Sequence, residues 1–405
     1  MQHTPFVTTP VTFATLHAAF ATLPDPRRAQ GRRFPLAALL TLVVAAVLAN
    51  HRSVLAITEW GKACGNEERH ALGFTGDAMP HQTTLHRLIA RLDAQLLATV
   101  LTRVVAERTR APAAPVAVCR GQQGVAIDGK AHRGRLAGQP LTACPIHMRS
   151  AGCHLTGLVL AHAPVTATGD KAAAELATAP ALIAQLDWQG RVMTGDALPC
   201  QHGVCQQVIQ AGGDYLVLVK GNQPALRQHI ATLFAHRADL ALNAARLPAQ
   251  DMREAVTDDR GHGREERRTL IASTDLNENL DWPGVAQVFL RERVWQERGK
   301  EHQSVCYGVT SLPVESADAA RLLTLKREHW GIENGLHYVK DVTRGEDASQ
   351  IRVGHGPNVL ALLRDIALNL LRSAGCRTVA APLRHYCRCP ADLFTLLALP
   401  LPQHA

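Results

Sequence analysis

Between residues 124 and 238 short apolar segments alternate with helical ones, and this order constrains the fold more than any other feature of the chain. Three apolar segments come first, and three helical segments and two further apolar segments then alternate. This order, β, β, β, α, β, α, β, α, predicts an α/β domain built on a mixed sheet. The predicted strands cover 124–130, 145–150, 157–162, 191–197 and 214–220, and the predicted helices cover 172–186, 203–211 and 224–238.

The region before this domain reads as helical. The stretch 35–49 is apolar but shorter than the roughly 20 residues of a membrane helix, which predicts a buried helix. An amphipathic helix follows Pro80, with Arg87 and Arg91 on its polar face, and resembles a recognition helix. The run A-P-A-A-P at 111–115 is the expected linker. We therefore predict an all-α N-terminal DNA-binding domain over 1–112.

After the alternating region the pattern changes again. Strand-like segments dominate about 240–312 and predict either a β-rich insertion or a continuation of the sheet edge. Helices are predicted at 317–326 and 358–372, which would end the catalytic domain, 113–375, near Gly375. The tail, 376–405, has no clear period.

Composition limits the classes of partner that this chain is expected to bind. The chain has 405 residues, 46% of them hydrophobic, so it is long enough for two or three domains. A net charge of +8 suits a polyanion such as nucleic acid. The ten cysteines form no C-x-x-C pair, which favours scattered reduced thiols. Without a signal peptide pattern, we expect a cytoplasmic protein with no membrane partner.

Three acidic residues lie at positions where catalytic or metal-ligating groups are expected. Asp128 and Asp196 each follow a predicted strand, and a carboxylate there needs a partner to offset its desolvation. Glu333 lies on a predicted helix between His329 and His337, at H-x-x-x-E-x-x-x-H. This glutamate could be a solvated surface residue, one of three zinc ligands, or one of several carboxylates that hold magnesium.

The set Asp128, Asp196 and Glu333 offers the ligands needed for two-metal phosphoryl transfer. Hard carboxylate oxygens suit Mg²⁺ or Mn²⁺, and two such ions can activate a nucleophile and stabilise the leaving oxygen. By themselves, three acids in this order are a weak signal.

Four longer motifs make the signal stronger. They read V-A-I-D-G-K-A-H-R-G, V-M-T-G-D-A-L-P-C-Q, G-G-D-Y-L-V-L-V-K-G-N-Q-P and, around Glu333, H-W-G-I-E-N-G-L-H-Y-V-K-D-V-T-R-G-E-D-A-S-Q-I-R. Together with L-P-D-P-R-R and F-P-L-A-A-L-L-T-L near the N-terminus, they resemble the DDE transposases of bacterial insertion sequences, in the group that includes the H-repeat-associated proteins. The resemblance extends to about Arg372.

This resemblance implies a ribonuclease H-like core with a β-rich insertion, and it implies that Asp128, Asp196 and Glu333 are the catalytic metal ligands. Related enzymes carry the pattern Y-x-x-R-x-x-x-E-x(6)-K around the glutamate. Lys340 matches its lysine, whereas His329 stands in place of the arginine. In this interpretation His329 and His337 face DNA. The expected DNA contacts are Arg87, Arg91, Lys130, Arg133, Lys220, Asn222, Arg327, His329, His337 and Lys340.

The function that follows is DNA transposition. The protein is expected to bind the inverted repeats of its element, cleave its ends and join the 3′-hydroxyls to target DNA with Mg²⁺ or Mn²⁺, as a homodimer. Two alternatives stay open: a catalytically inactive relic that only binds DNA, and a zinc hydrolase built on the His329, Glu333 and His337 helix.

Overall fold

One mixed sheet of nine strands runs through the protein. The computed structural model describes residues 13–109, 123–131, 147–165, 171–243, 251–261, 264–297 and 299–397. The strands are β1 (Gln123–Ala131), β2 (His147–Cys153), β3 (Val159–Val165), β4 (Arg191–Gly195), β5 (Asp214–Val219), β6 (Arg253–Gly261), β7 (Arg264–Ser273), β8 (Gln287–Glu297) and β9 (Lys300–Thr310). Their spatial order is β3-β2-β1-β4-β5-β9-β8-β7-β6.

Strand direction divides the sheet into two parts. β1, β4 and β5 are parallel neighbours, with β2 and β3 added antiparallel on one side. All six residues of β5 are buried, as expected for a central strand covered on both faces. On the other side β9 pairs antiparallel with β5, and β8, β7 and β6 continue outwards. The predicted mixed α/β sheet is confirmed, and the region expected as a β-rich insertion continues the same sheet.

Helices cover the sheet and form the N-terminal region. They are α1 (Phe13–Ala21), α2 (Leu36–Leu48), α3 (Val54–Ala63), α4 (Asn66–Ala71), α5 (Gln82–Arg91), α6 (Ala94–Thr109), α7 (Lys171–Ile183), α8 (His202–Gln210), α9 (Pro224–Asn243), α10 (Ala319–Glu328), α11 (Gly356–Ser373), α12 (Ala380–Arg388) and α13 (Pro390–Leu396). Between α10 and α11 the chain forms two π-helical turns, Glu333–His337 and Val339–Thr343, and the 3₁₀ turn Glu346–Ala348.

The N-terminal helices share one hydrophobic core with the sheet region. All thirteen residues of α2 are buried, which explains how this apolar helix, long enough with the preceding residues to cross a membrane, is accommodated within the protein. α11 packs against α2, α5 and α6, and α6 also packs against β3. A cut near residue 112 would therefore expose apolar surface on both fragments. The proposed linker at 111–115 lies outside the described residues.

The C-terminal tail is more ordered than the sequence suggested. Over 376–397 the chain forms α12 and α13, which bury Leu383, Leu393 and Phe394 in the main core. The sequence shows no clear period here because helices of only nine and seven residues carry too few apolar positions to produce one.

Candidate active site

The register of two parallel strands sets the positions of the two aspartates. β1 and β4 pair from Gln123 and Arg191 up to Ala126 and Thr194. Asp128 and Asp196 each lie two residues beyond this last pair. Asp128, still within β1, and Asp196, the first residue after β4, therefore lie at the same level along neighbouring strands, which are ~4.8 Å apart.

The segment that carries Glu333 runs along β1. His329 lies level with Ala126, because its Nδ1 is 3.0 Å from Oγ1 of Thr194. His337 reaches Asp128, and Asp341 forms an ion pair with Lys130. From Asp128 to Lys130 the strand advances ~6.6 Å, and from His337 to Asp341 four helical residues advance ~6 Å, so the two elements stay in step over this distance.

Asp128, Glu333 and His337 form a compact ligand cluster, in which one oxygen or nitrogen atom from each lies within 4.8 Å of the others. His337 Nδ1 lies 3.3 Å from Oε2 of Glu333 and 3.6 Å from Oδ2 of Asp128. Glu333 is half exposed, whereas His337 is buried. Glu333 and His337 begin and end the first π-helical turn, a distortion often found at functional sites.

The electrostatics of this cluster favour a bound cation. Burial, the largest cause, and the nearby carboxylates of Glu333 and Glu175 together raise the pKa of Asp128 to about 7, against the lowering effect of one hydrogen bond that the Gly129 N–H donates. Carboxylates that converge in this way repel one another until a proton or a cation neutralises them. Two carboxylates and an imidazole form a donor set that fits a divalent metal ion.

Asp196 is directed elsewhere in this structure. Its Oδ2 lies 3.0 Å from Nζ of Lys220, and both side chains are more than half exposed. The metal-ligating cluster of Asp128, Glu333 and His337 does not include it. Because the Asp196–Lys220 pair is solvated, it is weak and can rearrange at small cost.

Three of the expected DNA contacts are wrong because the side chains are buried. His329 is held by Thr194, and burial lowers its pKa to about 3, so it is neutral and unsuited to replace a phosphate-binding arginine. Lys340 is only 1% exposed and pairs with Asp365 at 2.7 Å. Lys130 is buried and paired with Asp341.

Two further expected DNA contacts, His337 and Asn222, contact other residues of the protein in this structure. His337 is buried and directed at the carboxylates, so it is a candidate ligand and not a DNA-facing group. Asn222 donates its amide hydrogens to the carbonyl oxygens of Ala197 and Cys200, at 2.8 and 3.2 Å. These bonds shape the loop after Asp196, so the Asn222 amide is engaged within the protein in this structure.

The remaining candidates are accessible. Arg87 and Arg91 lie on the exposed face of α5, opposite buried Leu88. Lys220 is exposed beside Asp196, and Arg327 is half exposed although it pairs with Asp259 at 3.0 Å. Arg133 lies outside the described residues.

Glu175 is a functional candidate that sequence reasoning missed. It is a buried residue of α7 close enough to β1 that a Cβ on Gly129 would lie 2.9 Å from its carboxyl group. A lone acid within the alanine-rich segment K-A-A-A-E-L-A-T-A-P was the available signal. The alternative of a zinc site on His329, Glu333 and His337 gains no support from this geometry, since the two histidines diverge: His329 bonds Thr194 while His337 joins the carboxylates.

Known proteins resemble this chain along most of its length. Residues 120–370 match the family model described as the transposase DDE domain, and residues 17–105 match the model of its associated N-terminal region. "Putative transposase YncI" of Escherichia coli O157:H7 is 28% identical over 86% of this chain and 85% of its own length. "H repeat-associated putative transposase YhhI" of E. coli K12 is 29% identical over 61% of this chain and 63% of its own length.

A solved complex of the piggyBac transposase with hairpin DNA overlaps 99% of this chain and 88% of its own, with 11% identity. Its TM-score of 0.40 is too low to carry an argument.

Proposed function

The chain belongs to the DDE transposase family and is a DNA transposase, and we propose that Asp128, Asp196 and Glu333 form its active site. The family match covers the whole region in which these three residues lie. The single observation that carries the proposal is the convergence of Asp128 and Glu333, 205 residues apart in sequence, around one imidazole. The parallel register of β1 and β4 supports Asp196 as the third member.

The same topology supports a ribonuclease H-like catalytic core. Its features are three antiparallel strands, β1 to β3, followed by two strands that add in parallel on the other side of β1. Asp128 lies in the C-terminal half of β1 and Asp196 directly follows β4, towards the end of the sheet at which α/β proteins usually carry their ligand sites.

Asp128, Asp196 and Glu333 would hold Mg²⁺ or Mn²⁺, with His337 as a nitrogen neighbour of the site. When bound, such ions neutralise the carboxylates and supply charge stabilisation for displacement at phosphorus. The protein's own residues fix the ligand geometry. Gly129 N–H orients Asp128, the π-helical turn aims Glu333 and His337 at the end of β1, and the Thr194–His329 hydrogen bond fixes the start of that segment.

We propose that the enzyme cleaves the phosphodiester at each end of its element and joins the 3′-hydroxyls to target DNA. Both steps are in-line displacements and can use one set of carboxylates. Since an element has two ends, a homodimer with two active sites is the simplest working assembly. Such chemistry on chromosomal DNA places the protein in the cytoplasm.

DNA binding is proposed for the exposed basic residues. Arg87 and Arg91 are suited to the duplex because α5 presents them on one face, away from its packing surface. Lys220 pairs with Asp196 and would position phosphate close to it, and Arg327, half exposed beside Asp259, is a further candidate for a phosphate contact. Each lost phosphate contact should weaken binding and lower the salt slope by about one.

Cleavage of a labelled duplex that carries the element end tests the active-site proposal. The full-length protein should cut with Mg²⁺ or Mn²⁺, and Asp128→Asn, Asp196→Asn and Glu333→Gln should each abolish cutting and joining while DNA binding in gel shifts is preserved. Asp77→Asn, an exposed acid far along the chain, is the matched control. A wild-type protein that binds the duplex without cutting would support the relic instead, and an Asp196 variant with full activity would remove that residue from the site.

A further inference from the structure

A second group of metal-ligating side chains lies at the corner between α12 and α13. His385 Nε2 is 2.7 Å from Oδ2 of Asp392. The Sγ of Cys389 lies within 4.8 Å of these ligand atoms, which gives one sulfur, one nitrogen and one oxygen donor at a single point. All three residues are at least partly accessible to solvent.

Buried residues of both helices fix the position of this corner on the hydrophobic core. Leu383 anchors α12, and Leu393 and Phe394 anchor α13, each of them buried. Cys389 lies between the helices, where its N–H donates to the carbonyl of His385 at 2.9 Å, and Pro390 starts α13. The spacing H-x-x-x-C-x-x-D is therefore presented by a short, supported turn.

We propose that His385, Cys389 and Asp392 bind a zinc-class divalent cation. Thiolate, imidazole and carboxylate together match the borderline-soft preference of Zn²⁺ and exclude Mg²⁺, which favours all-oxygen sites. Three protein ligands leave one tetrahedral position for water. On binding, the Cys389 thiol loses its proton to solvent. The proton of His385 Nε2 passes to solvent, with Nδ1 carrying the remaining ring proton, so that the His385–Asp392 hydrogen bond opens and both groups turn to the metal.

This site is separate from the transposition chemistry. The match to the DDE domain ends at residue 370, before α12 begins. Among the described residues, the ligand cluster at the acids consists of Asp128, Glu333 and His337 and contains no cysteine. The consequence of binding would be structural. A metal that bridges α12, the corner and α13 would stabilise the C-terminal helices on the core.

Cobalt titration of the full-length protein tests the site, because a thiolate ligand gives Co²⁺ a sulfur charge-transfer band in the near ultraviolet. Wild type should show this band with a stoichiometry of one, reversed by added Zn²⁺. Cys389→Ser should lose it, whereas Cys387→Ser, which alters an exposed cysteine two residues away, should retain it. His385→Ala and Asp392→Asn should each weaken binding roughly tenfold or more.

Thermal unfolding supplies a second readout. Zn²⁺ should raise the melting temperature of wild type and Cys387→Ser by more than that of Cys389→Ser, in which, among the described residues, only the cluster of Asp128, Glu333 and His337 is left to bind it. A band of equal intensity in the Cys389 variant would overturn the proposal. So would absence of the band from wild type, which would leave His385 and Asp392 as an ordinary hydrogen-bonded surface pair.

Discussion

Lys340 Nζ lies 2.7 Å from Oδ2 of Asp365 inside the protein, where each side chain is only 2% exposed. Burial would lower the pKa of Lys340, but Asp365 and Glu346 more than offset this and raise it, so the lysine stays charged. The pair joins the segment that carries Glu333 to α11. We therefore expect Lys340, which matches the lysine of the family pattern, to act as a positioning residue that holds the segment carrying Glu333 on the core.

Lys340→Met tests this role. The substitution leaves Asp365 buried without its closest cation, and we expect a loss of ~3–5 kcal/mol in the free energy of unfolding. Urea denaturation measures this loss. DNA affinity of the folded protein should be unchanged, because the lysine does not reach the surface.

Lys220→Met is the matched control, since that lysine is exposed. It should cost little stability and should reduce DNA affinity. The reverse pattern, with Lys340→Met stable but weak in binding DNA, would restore the DNA contact expected from sequence.

The pKa of Asp128 predicts how stability depends on pH. Its pKa of about 7 in the folded protein exceeds the usual value near ~4, so the folded state binds the extra proton between these values. Without metal, stability should fall as pH rises from about 4 to about 7. Asp128→Asn should remove this part of the decline.

Urea midpoints between pH 4 and 8 with a chelator present measure the effect. Added Mn²⁺ should recover stability mainly at the upper end of the range, where it no longer competes with the proton. Parallel pH profiles for wild type and Asp128→Asn would contradict the assignment.

We expect His337 to contribute to metal binding and not to contact DNA directly. Its Nδ1 lies within 3.6 Å of both carboxylates, and a nitrogen ligand favours Mn²⁺ over Mg²⁺. His337→Ala should therefore weaken Mn²⁺ binding by about tenfold and Mg²⁺ binding less. Electron paramagnetic resonance of free Mn²⁺ during titration gives the affinity. His86→Ala, an exposed histidine of α5, should change nothing.

Much of the fold could be predicted because strong local patterns coincide with it. The apolar run of β5 and the apolar helix α2 are examples, because segments of this composition are stable only where they are shielded from water. Strand-end acids could be found in the same way, since an aspartate after a buried strand is unusual. Which strands are neighbours, and in which register they pair, could not be predicted, because both depend on contacts between residues that are distant in sequence.

The roles of individual basic residues could not be predicted for the same reason. Lys130, His329 and Lys340 look like DNA contacts because they flank the acids in sequence. Their burial depends on Asp341, Thr194 and Asp365, partners supplied by other parts of the chain. The π-helical turns add a second difficulty, because they alter the face on which residues after Glu333 lie from that of a regular helix.

Glu333 and Glu346 provide the sharpest test of the active site, because both lie between α10 and α11 and only Glu333 is accessible. Glu333 is 48% exposed beside His337, whereas Glu346 is buried and lies 3.5 Å from Arg364 of α11. Glu333→Gln should fold like wild type and fail to cut the end-containing duplex. Glu346→Gln should lose a few kcal/mol of stability, since it weakens a buried ion pair. Below its melting temperature, Glu346→Gln should still cut at close to the wild-type rate per folded molecule. Cleavage rates normalised to the folded fraction from circular dichroism separate the two effects. A Glu333 variant that cuts beside an inactive, fully folded Glu346 variant would move the third carboxylate to Glu346.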